Sequence, residues 1–305
     1  MFGLYIHIPY CRSKCRYCDF YSTPCPDGVP EAYIDALCRE MDRFSPCGST
    51  PLRPDTLYFG GGTPSLLTPA QAARHTAAQS RRALGMAVQA GFTDISGDLM
   101  LALPAYTMAE LDETIALLAE SGCTHISGYL LKIEPNTVFG KCPPEALPGD
   151  DAAADFYLAA VEKLAALGYA QYEISNFARP GFESRHNRIY WDCGDYLGLG
   201  PAAHSCMGGK RFATPAGTAA FLAAPAVYEP QGECTAEDYI MLQLRLSRGL
   251  SLSALRARYG VSFSSEKLRF LQTLAEHGLA VFDGSVLRLT PRGMLVQNSI
   301  LCELV

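Results

Sequence analysis

Tyr5-Ile6-His7-Ile8-Pro9-Tyr10-Cys11-Arg12-Ser13-Lys14-Cys15-Arg16-Tyr17-Cys18 opens the chain with a strand-like run that ends at a turn-forming proline and leads directly into three cysteines spaced CxxxCxxC. Soft thiolates crowded on one loop suit an iron–sulfur cluster, whereas a structural zinc site needs a fourth ligand at matching spacing, and no second CxxC follows. Three cysteines on a four-iron cube leave one iron without a protein thiolate, open to a small molecule. The plainer alternative is three buried cysteines, or a zinc site completed from afar.

Working outward, β-rich runs at Leu4–Pro9, Thr56–Gly60, Thr93–Leu99, His125–Ile133 and Tyr172–Phe177 alternate with amphipathic windows at Val29–Phe44, Thr68–Ala90, Met108–Ser121 and Asp151–Leu167. This alternation predicts βα units around a parallel sheet, an α/β fold. Gly60-Gly61-Gly62-Thr63-Pro64 follows the second strand, at the C-terminal end where parallel sheets bind ligands. After Pro180 the regularity fades into a glycine-rich stretch, 194–209, and an Ala/Pro-rich connection at 213–225. The expected division is therefore a barrel-like domain over 1–180, a segment and linker over 181–225, and an accessory domain over 226–305. In that last part, helices at Ala236–Leu246 and Ser265–His277 precede a hairpin expected to turn at Asp283-Gly284. A closing helix capped by Thr290-Pro291 completes a winged-helix-like pattern.

The balance of 25 Lys+Arg against 31 Asp+Glu, net −6, and a hydrophobic content of 49% over 305 residues exclude disorder, collagen and a small disulfide scaffold. Residues 226–305 carry eight basic and eight acidic side chains, so the winged-helix-like part lacks the basic excess that DNA binding requires. Nucleic acid is not the expected partner. No window approaches 18 consecutive apolar residues and no leader precedes the first strand, so the chain reads as cytoplasmic and not as an integral membrane protein. Cys25, Cys38, Cys47, Cys123, Cys142, Cys193, Cys206, Cys234 and Cys302 are scattered without ligand spacing and read mostly as small buried hydrophobes.

The segment from Tyr5 to Cys18-Asp19-Phe20 closely resembles the opening of radical S-adenosylmethionine proteins. That resemblance implies a partial parallel (β/α) barrel holding a [4Fe–4S] cluster on Cys11, Cys15 and Cys18. It further implies that the open iron is chelated by S-adenosylmethionine, with Tyr5, Tyr17, Gly61, Gly62, Thr63 and Asp98 on the cofactor. Asp98 also has a plain reading as a helix cap or loop anchor. The match narrows to the group of oxygen-independent coproporphyrinogen III oxidase and the HemW heme chaperones. Phe20 stands where the oxidase has a further cysteine, and His186-Asn187-Arg188-Ile189-Tyr190-Trp191 is similar to the chaperone's HNxxYW motif. Physically, that motif offers an imidazole for heme iron and two aromatic surfaces for a porphyrin face, or else an aromatic anchor between domains. His204 is a reserve ligand, and His7 reads as a hydrogen-bonded core histidine.

The resemblance covers both ends but not the middle. After about residue 72 the text jumps to what resembles a later family helix, so about two βα units, on the order of 60 residues, are missing and a barrel of four units is expected. Arg74 is shifted from the arginine usual there. Unless the second and third strands pair directly, two edges stay open. The favoured reading is a heme chaperone, not an enzyme, with impaired S-adenosylmethionine chemistry, whose partners are heme and membrane-associated heme-accepting proteins. An oxidase relative and a non-catalytic remnant are the rivals.

Overall fold

The computed structural model describes residues 1–11, 14–44, 53–62 and 84–305. The first half contains β1 (Phe2–Ile8), β2 (Tyr10–Cys11), β3 (Thr23–Pro24), α1 (Glu31–Phe44), β4 (Thr56–Gly61), α2 (84–89), β5 (Ser96–Leu101), α3 (Met108–Glu120), β6 (His125–Leu130) and α4 (Val138–Lys141). There follow α5 (Asp150–Ala166), β7 (Ala170–Glu173), β8 (Asn176–Ala178), α6 (Arg185–Trp191), β9 (Asp195–Leu199), β10 (His204–Met207), β11 (Lys210–Ala213), α7 (Thr218–Ala223) and β12 (Glu229–Glu233). The chain closes with α8 (Ala236–Leu244), β13 (Leu250–Ser251), α9 (Leu252–Tyr259), α10 (Ser265–Glu276), β14 (Ala280–Phe282), β15 (Val286–Leu289), α11 (Pro291–Leu295) and α12 (Gln297–Leu304). These elements gather into two compact units, each assembled from separate stretches of chain.

The first unit takes Met1–His75, Glu134–Lys141 and Arg185–Cys234. Its six-stranded sheet runs β12-β11-β10-β9-β1-β4, with β1 parallel to both β4 and β9. Alternation along β1 sends Ile6 and Ile8 into a core with Tyr10, Tyr33, Leu37, Leu197 and Leu199, leaving Tyr5 and His7 on the opposite face. Tyr33, on α1, is fully buried and donates its hydroxyl to the His7 carbonyl at 2.6 Å. Burying such a ring stabilises by about 2–3 kcal/mol. The stretch in which regularity was expected to fade instead builds β9, β10 and β11. Leu197 and Leu199 bury their side chains, while Gly198 lets β10 fold back so closely that a Cβ there would lie 2.2 Å from the His204 carbonyl oxygen. The HNxxYW segment forms α6, the Ala/Pro-rich connection contains α7, and Phe221 of α7 packs on Tyr33 at 5.6 Å between rings.

The second unit takes Thr76–Ile133, Cys142–Ser184 and Thr235–Val305. Its four-stranded sheet runs β5-β6-β8-β7, and β5 and β6 are parallel as the βα pattern predicts. Helix α3 between them starts with a capping box from Thr107 and Glu110, and its Leu111 and Ile115 join Leu99, Ile126, Phe156 and Phe177 in the core. The strand expected over Tyr172–Phe177 is instead the antiparallel hairpin β7–β8, with β8 antiparallel to β6. The Glu173 carboxylate, fully buried, accepts from the Ser175 N–H at 2.8 Å and from the Asn176 amide, which turns the chain back on itself. Since β4 and β5 belong to different sheets, the expected four-unit barrel gives way to an α/β arrangement whose closure is not seen among the described residues. The helix expected over Thr68–Ala90 falls mostly outside those residues, which retain 84–89 as helix.

The C-terminal helices carry the small sheet β13-β15-β14, as the winged-helix-like pattern predicts. Its turn differs from expectation by one residue. Gly284 and Ser285 occupy the centre, with only Gly284 at positive φ (+86), because the Asp283 carboxylate accepts from the Ser285 and Val286 N–H groups and from the Ser285 hydroxyl. Thr290 caps α11 as expected. This region is welded to β7–β8: Ile174 N–H donates to the Arg245 carbonyl at 2.9 Å, Ser247 N–H to the Tyr172 carbonyl at 3.0 Å, and Arg245 pairs with Glu173 at 3.2 Å. Among the described residues, no helix is long and apolar enough to cross a membrane.

Candidate functional site

The cysteine loop leaves the C-terminal end of β1 and is closed at its neck. Tyr10–Cys11 pairs with Thr23–Pro24, Thr23 N–H donates to the Pro9 carbonyl at 2.7 Å, and Cys25 N–H donates to the Cys11 carbonyl at 2.6 Å. Within the loop, Cys18 N–H reaches the Cys15 carbonyl at 3.3 Å, and Lys14 Nζ donates to the Phe20 carbonyl at 3.1 Å. From α4, Phe139 N–H donates to the Arg16 carbonyl at 3.0 Å. Cys11 is buried, while Cys15, Tyr17 and Cys18 are half-buried. Desolvation pushes the Cys18 thiol up, a backbone hydrogen bond at Phe20 opposes this, and the neighbouring Cys15 and Cys11 add to the rise while Lys14 opposes it. Among the described residues, no three cysteine, histidine or acidic side chains stand close enough to coordinate one metal ion. The donor set nevertheless fits a cube with one open iron in its chemistry: three soft sulfurs on one closed loop.

Next to the loop lies the glycine triplet, and the geometry explains its composition. In the β1·β4 register His7 faces Gly60 and Ile8 faces Gly61, and Gly62 N–H donates to the Ile8 carbonyl at 2.7 Å. A Cβ on Gly60 would come within 2.7 Å of the Tyr5 ring, and one on Gly61, which sits at φ +105, within 2.7 Å of the His7 ring. One on Gly62 would lie 2.4 Å from the Tyr10 carbonyl oxygen and 3.0 Å from Cys11 Sγ. The cradle therefore admits no side chain between β4 and the cysteine loop. His7, as expected of a core histidine, engages both nitrogens: Nδ1 with the Tyr5 hydroxyl at 2.9 Å and Nε2 with the Tyr21 carbonyl at 3.1 Å. Burial holds its pKa below the usual value.

The HNxxYW motif is α6, packed against this sheet. His186 is buried, with Nδ1 at 2.8 Å from the Thr56 hydroxyl and Nε2 at 2.6 Å from the Tyr190 hydroxyl. Desolvation lowers its pKa to about 4, so the ring is neutral near pH 7. It stacks on Tyr58 at 5.3 Å, and Tyr58 stacks on Tyr5 at 6.0 Å, so one aromatic row joins the motif to the glycine cradle. Tyr58 escaped the sequence reading, although a tyrosine two positions before Gly60 on a parallel strand carries that signal. Both ring nitrogens of His186 are occupied here, so heme ligation by Nε2 requires it to leave Tyr190. His204 is exposed on β10. Thr63 and Arg74 lie outside the described residues. Asp98 stands on β5 in the second unit, opposite Ser127. Asp98 is exposed on this strand; desolvation raises its carboxyl pKa and the hydrogen bond with Ser127 opposes the rise.

Comparison with known proteins places these features. Residues 235–296 match the HemN C-terminal domain. The structure of coproporphyrinogen III oxidase (HemN) from Escherichia coli, a radical SAM enzyme, superposes with a TM-score of 0.76 over 99% of this chain and 89% of that one, at 19% identity, which establishes the fold. The heme chaperone HemW of Bacillus subtilis is 29% identical over 98% of this chain and 98% of its own length. That alignment runs over 373 positions, more than the 305 residues available here, so it crosses stretches of the relative without counterpart in this chain. HemW of Escherichia coli is 32% identical over 66% of this chain and 69% of its own length. On this similarity, and with the three-cysteine loop and HNxxYW helix in place, the chain belongs to the HemW heme chaperone family of the radical S-adenosylmethionine superfamily.

Proposed function

We propose that this chain is a cytoplasmic heme chaperone that holds a [4Fe–4S] cluster on Cys11, Cys15 and Cys18, binds heme, and passes it to membrane-associated heme-requiring proteins. The observation that carries this reading is the three-thiol loop, closed at its neck and lying against a glycine cradle that excludes every side chain. Tyr5, Tyr17, Gly61, Gly62, Thr63 and Asp98 are the residues we assign to S-adenosylmethionine, which supplies radical or regulatory chemistry at the cluster when bound. The glycines let the end of β4 approach Tyr5, His7 and the cysteine loop closely, and we assign the backbone there to the cofactor's methionine end. His186 serves heme by giving up its Tyr190 hydrogen bond, with the Tyr58 and Tyr190 rings as the surfaces a porphyrin would meet.

The test is anaerobic cluster reconstitution followed by heme titration, wild type beside His186→Ala, with and without S-adenosylmethionine. Uptake of about one heme, weakened by the substitution, is the expected outcome. Iron incorporation without heme uptake removes the chaperone reading, and oxidation of coproporphyrinogen III by the reconstituted protein assigns the enzyme reading instead.

A further inference from the structure

Outside the site just described, the first unit brings together two cysteines that are 28 positions apart in sequence. Cys206 lies on β10, is 1% exposed, and is paired across the ladders with Tyr196 and Arg211. Cys234 immediately follows β12, which carries a left-handed Gly232 (φ +89) and shifts register against β11 between Arg211 and Phe212. Past this irregularity Cys234 N–H donates to the Gly209 carbonyl at 2.8 Å, and its Sγ stands 3.5 Å from that of Cys206. Cys234 is half-buried, so a small reagent reaches it first.

We propose that Cys206 and Cys234 form a reversible oxidation site, closing to a disulfide by exchange with a low-molecular-weight disulfide such as oxidised glutathione. The Cys234 thiolate attacks one reagent sulfur, forming a mixed disulfide and releasing one small thiol. Cys206, once its proton has passed to water, attacks Cys234 Sγ and expels the second small thiol. The protein loses two hydrogens and two electrons, and the reagent disulfide is reduced to two thiols. Bond formation needs the two sulfurs to close by roughly 1.5 Å to reach the ordinary S–S length of about 2.05 Å, a displacement that side-chain rotation and a small shift at the end of an exposed edge strand supply. Burial, with Cys234, Asp195 and Cys193 nearby, pushes the Cys206 thiol up to about 12, which keeps it protonated and makes Cys234 the entry point.

The bond would fix a particular place. All five residues of β12 are exposed and this edge strand is held by its ladder with β11, while Cys234 is the last residue of the first unit and Thr235 already caps α8. Oxidation therefore clamps the point at which the chain leaves the six-stranded sheet.

The full-length reconstituted protein, kept anaerobic, is incubated with excess oxidised glutathione, quenched by alkylation and mapped by peptide mass spectrometry. The exposed Cys302 gauges reagent activity within the same molecule. The expected result is a Cys206–Cys234 linked peptide, the loss of those two alkylatable thiols, and their return on treatment with dithiothreitol. Cys234→Ser leaves Cys206 alkylatable, and Cys193→Ser leaves the link intact. If Cys302 becomes glutathionylated while Cys206 and Cys234 both remain alkylatable, or if Cys206 is found joined to Cys193, the proposal is overturned. The wild-type map alone decides, whether or not either variant folds.

Discussion

His186 is held neutral by burial, and this sets a pH dependence that can be measured without any cofactor. Its native pKa lies near 4 against an unfolded value of about 6.5, so below about pH 6.5 the unfolded chain binds a proton that the native chain refuses. Stability is therefore full above that value and falls as the pH drops toward 4, by up to about 3 kcal/mol from this one group. Urea midpoints followed from pH 7.5 to 4 are expected to decline more steeply for the wild type than for His186→Asn, which has no imidazole to titrate. Equal slopes would show that another group governs the decline. Gly61 makes a second residue-level case. An alanine there meets both a positive φ and the His7 ring at 2.7 Å, so Gly61→Ala is expected to cost about 2 kcal/mol or more in thermal unfolding. His7→Ala/Gly61→Ala should recover part of that loss if the ring contact matters.

Among elements, β4 is the edge of its sheet among the described residues, and Leu57, Tyr58 and Phe59 are 53%, 47% and 43% exposed. An apolar edge invites strand addition from another molecule. Leu57→Lys is accordingly expected to reduce concentration-dependent light scattering while leaving the melting temperature within about 2 °C of wild type; unchanged scattering would locate the association elsewhere. The strands and helices with clean apolar periods were legible in the sequence: Glu31–Phe44, Met108–Glu120 and Asp150–Ala166 fall within two residues of expectation. Strands β9 to β11 were not, because glycines and short apolar runs blur their alternation. Nor was the β7–β8 hairpin, whose turn is made by the interior polar pair Glu173 and Asn176 rather than by glycine or proline. The site divides in the same way. Its cysteines and glycines announce themselves by spacing, whereas the Tyr5–Tyr58–His186 row and the Cys206–Cys234 approach depend on which strands become neighbours, which no local pattern records.

At the scale of the molecule, the region expected to be a separate accessory domain belongs to the same compact unit as β5 to β8. Glu173, wholly buried, has Arg245 as its charged partner, and removing one member of such a pair leaves an uncompensated charge at a cost of about 3–5 kcal/mol. Arg245→Ala should therefore lower the unfolding temperature of the C-terminal helices and the β5–β8 sheet together, seen as loss of amide protection in both by hydrogen exchange. Protection lost in the helices alone would show that they unfold as an independent domain.

The interleaving of the two units also bears on the order of events during synthesis. β1 is synthesised well before β9, yet its register with β9 begins at Phe2 and Asp195, so the second of its two flanking strands follows it only after nearly two hundred residues. At ordinary elongation rates of about 5–20 residues per second, that wait is roughly 10–40 s. Through that interval the nascent cysteine loop has emerged while β9 to β12, most of the sheet that seats it, do not yet exist, and β5 with β6 can pair in the meantime. The neck contacts, all within residues 9–25, can close during that wait, whereas the sheet under the loop is completed only once β9 has joined β1.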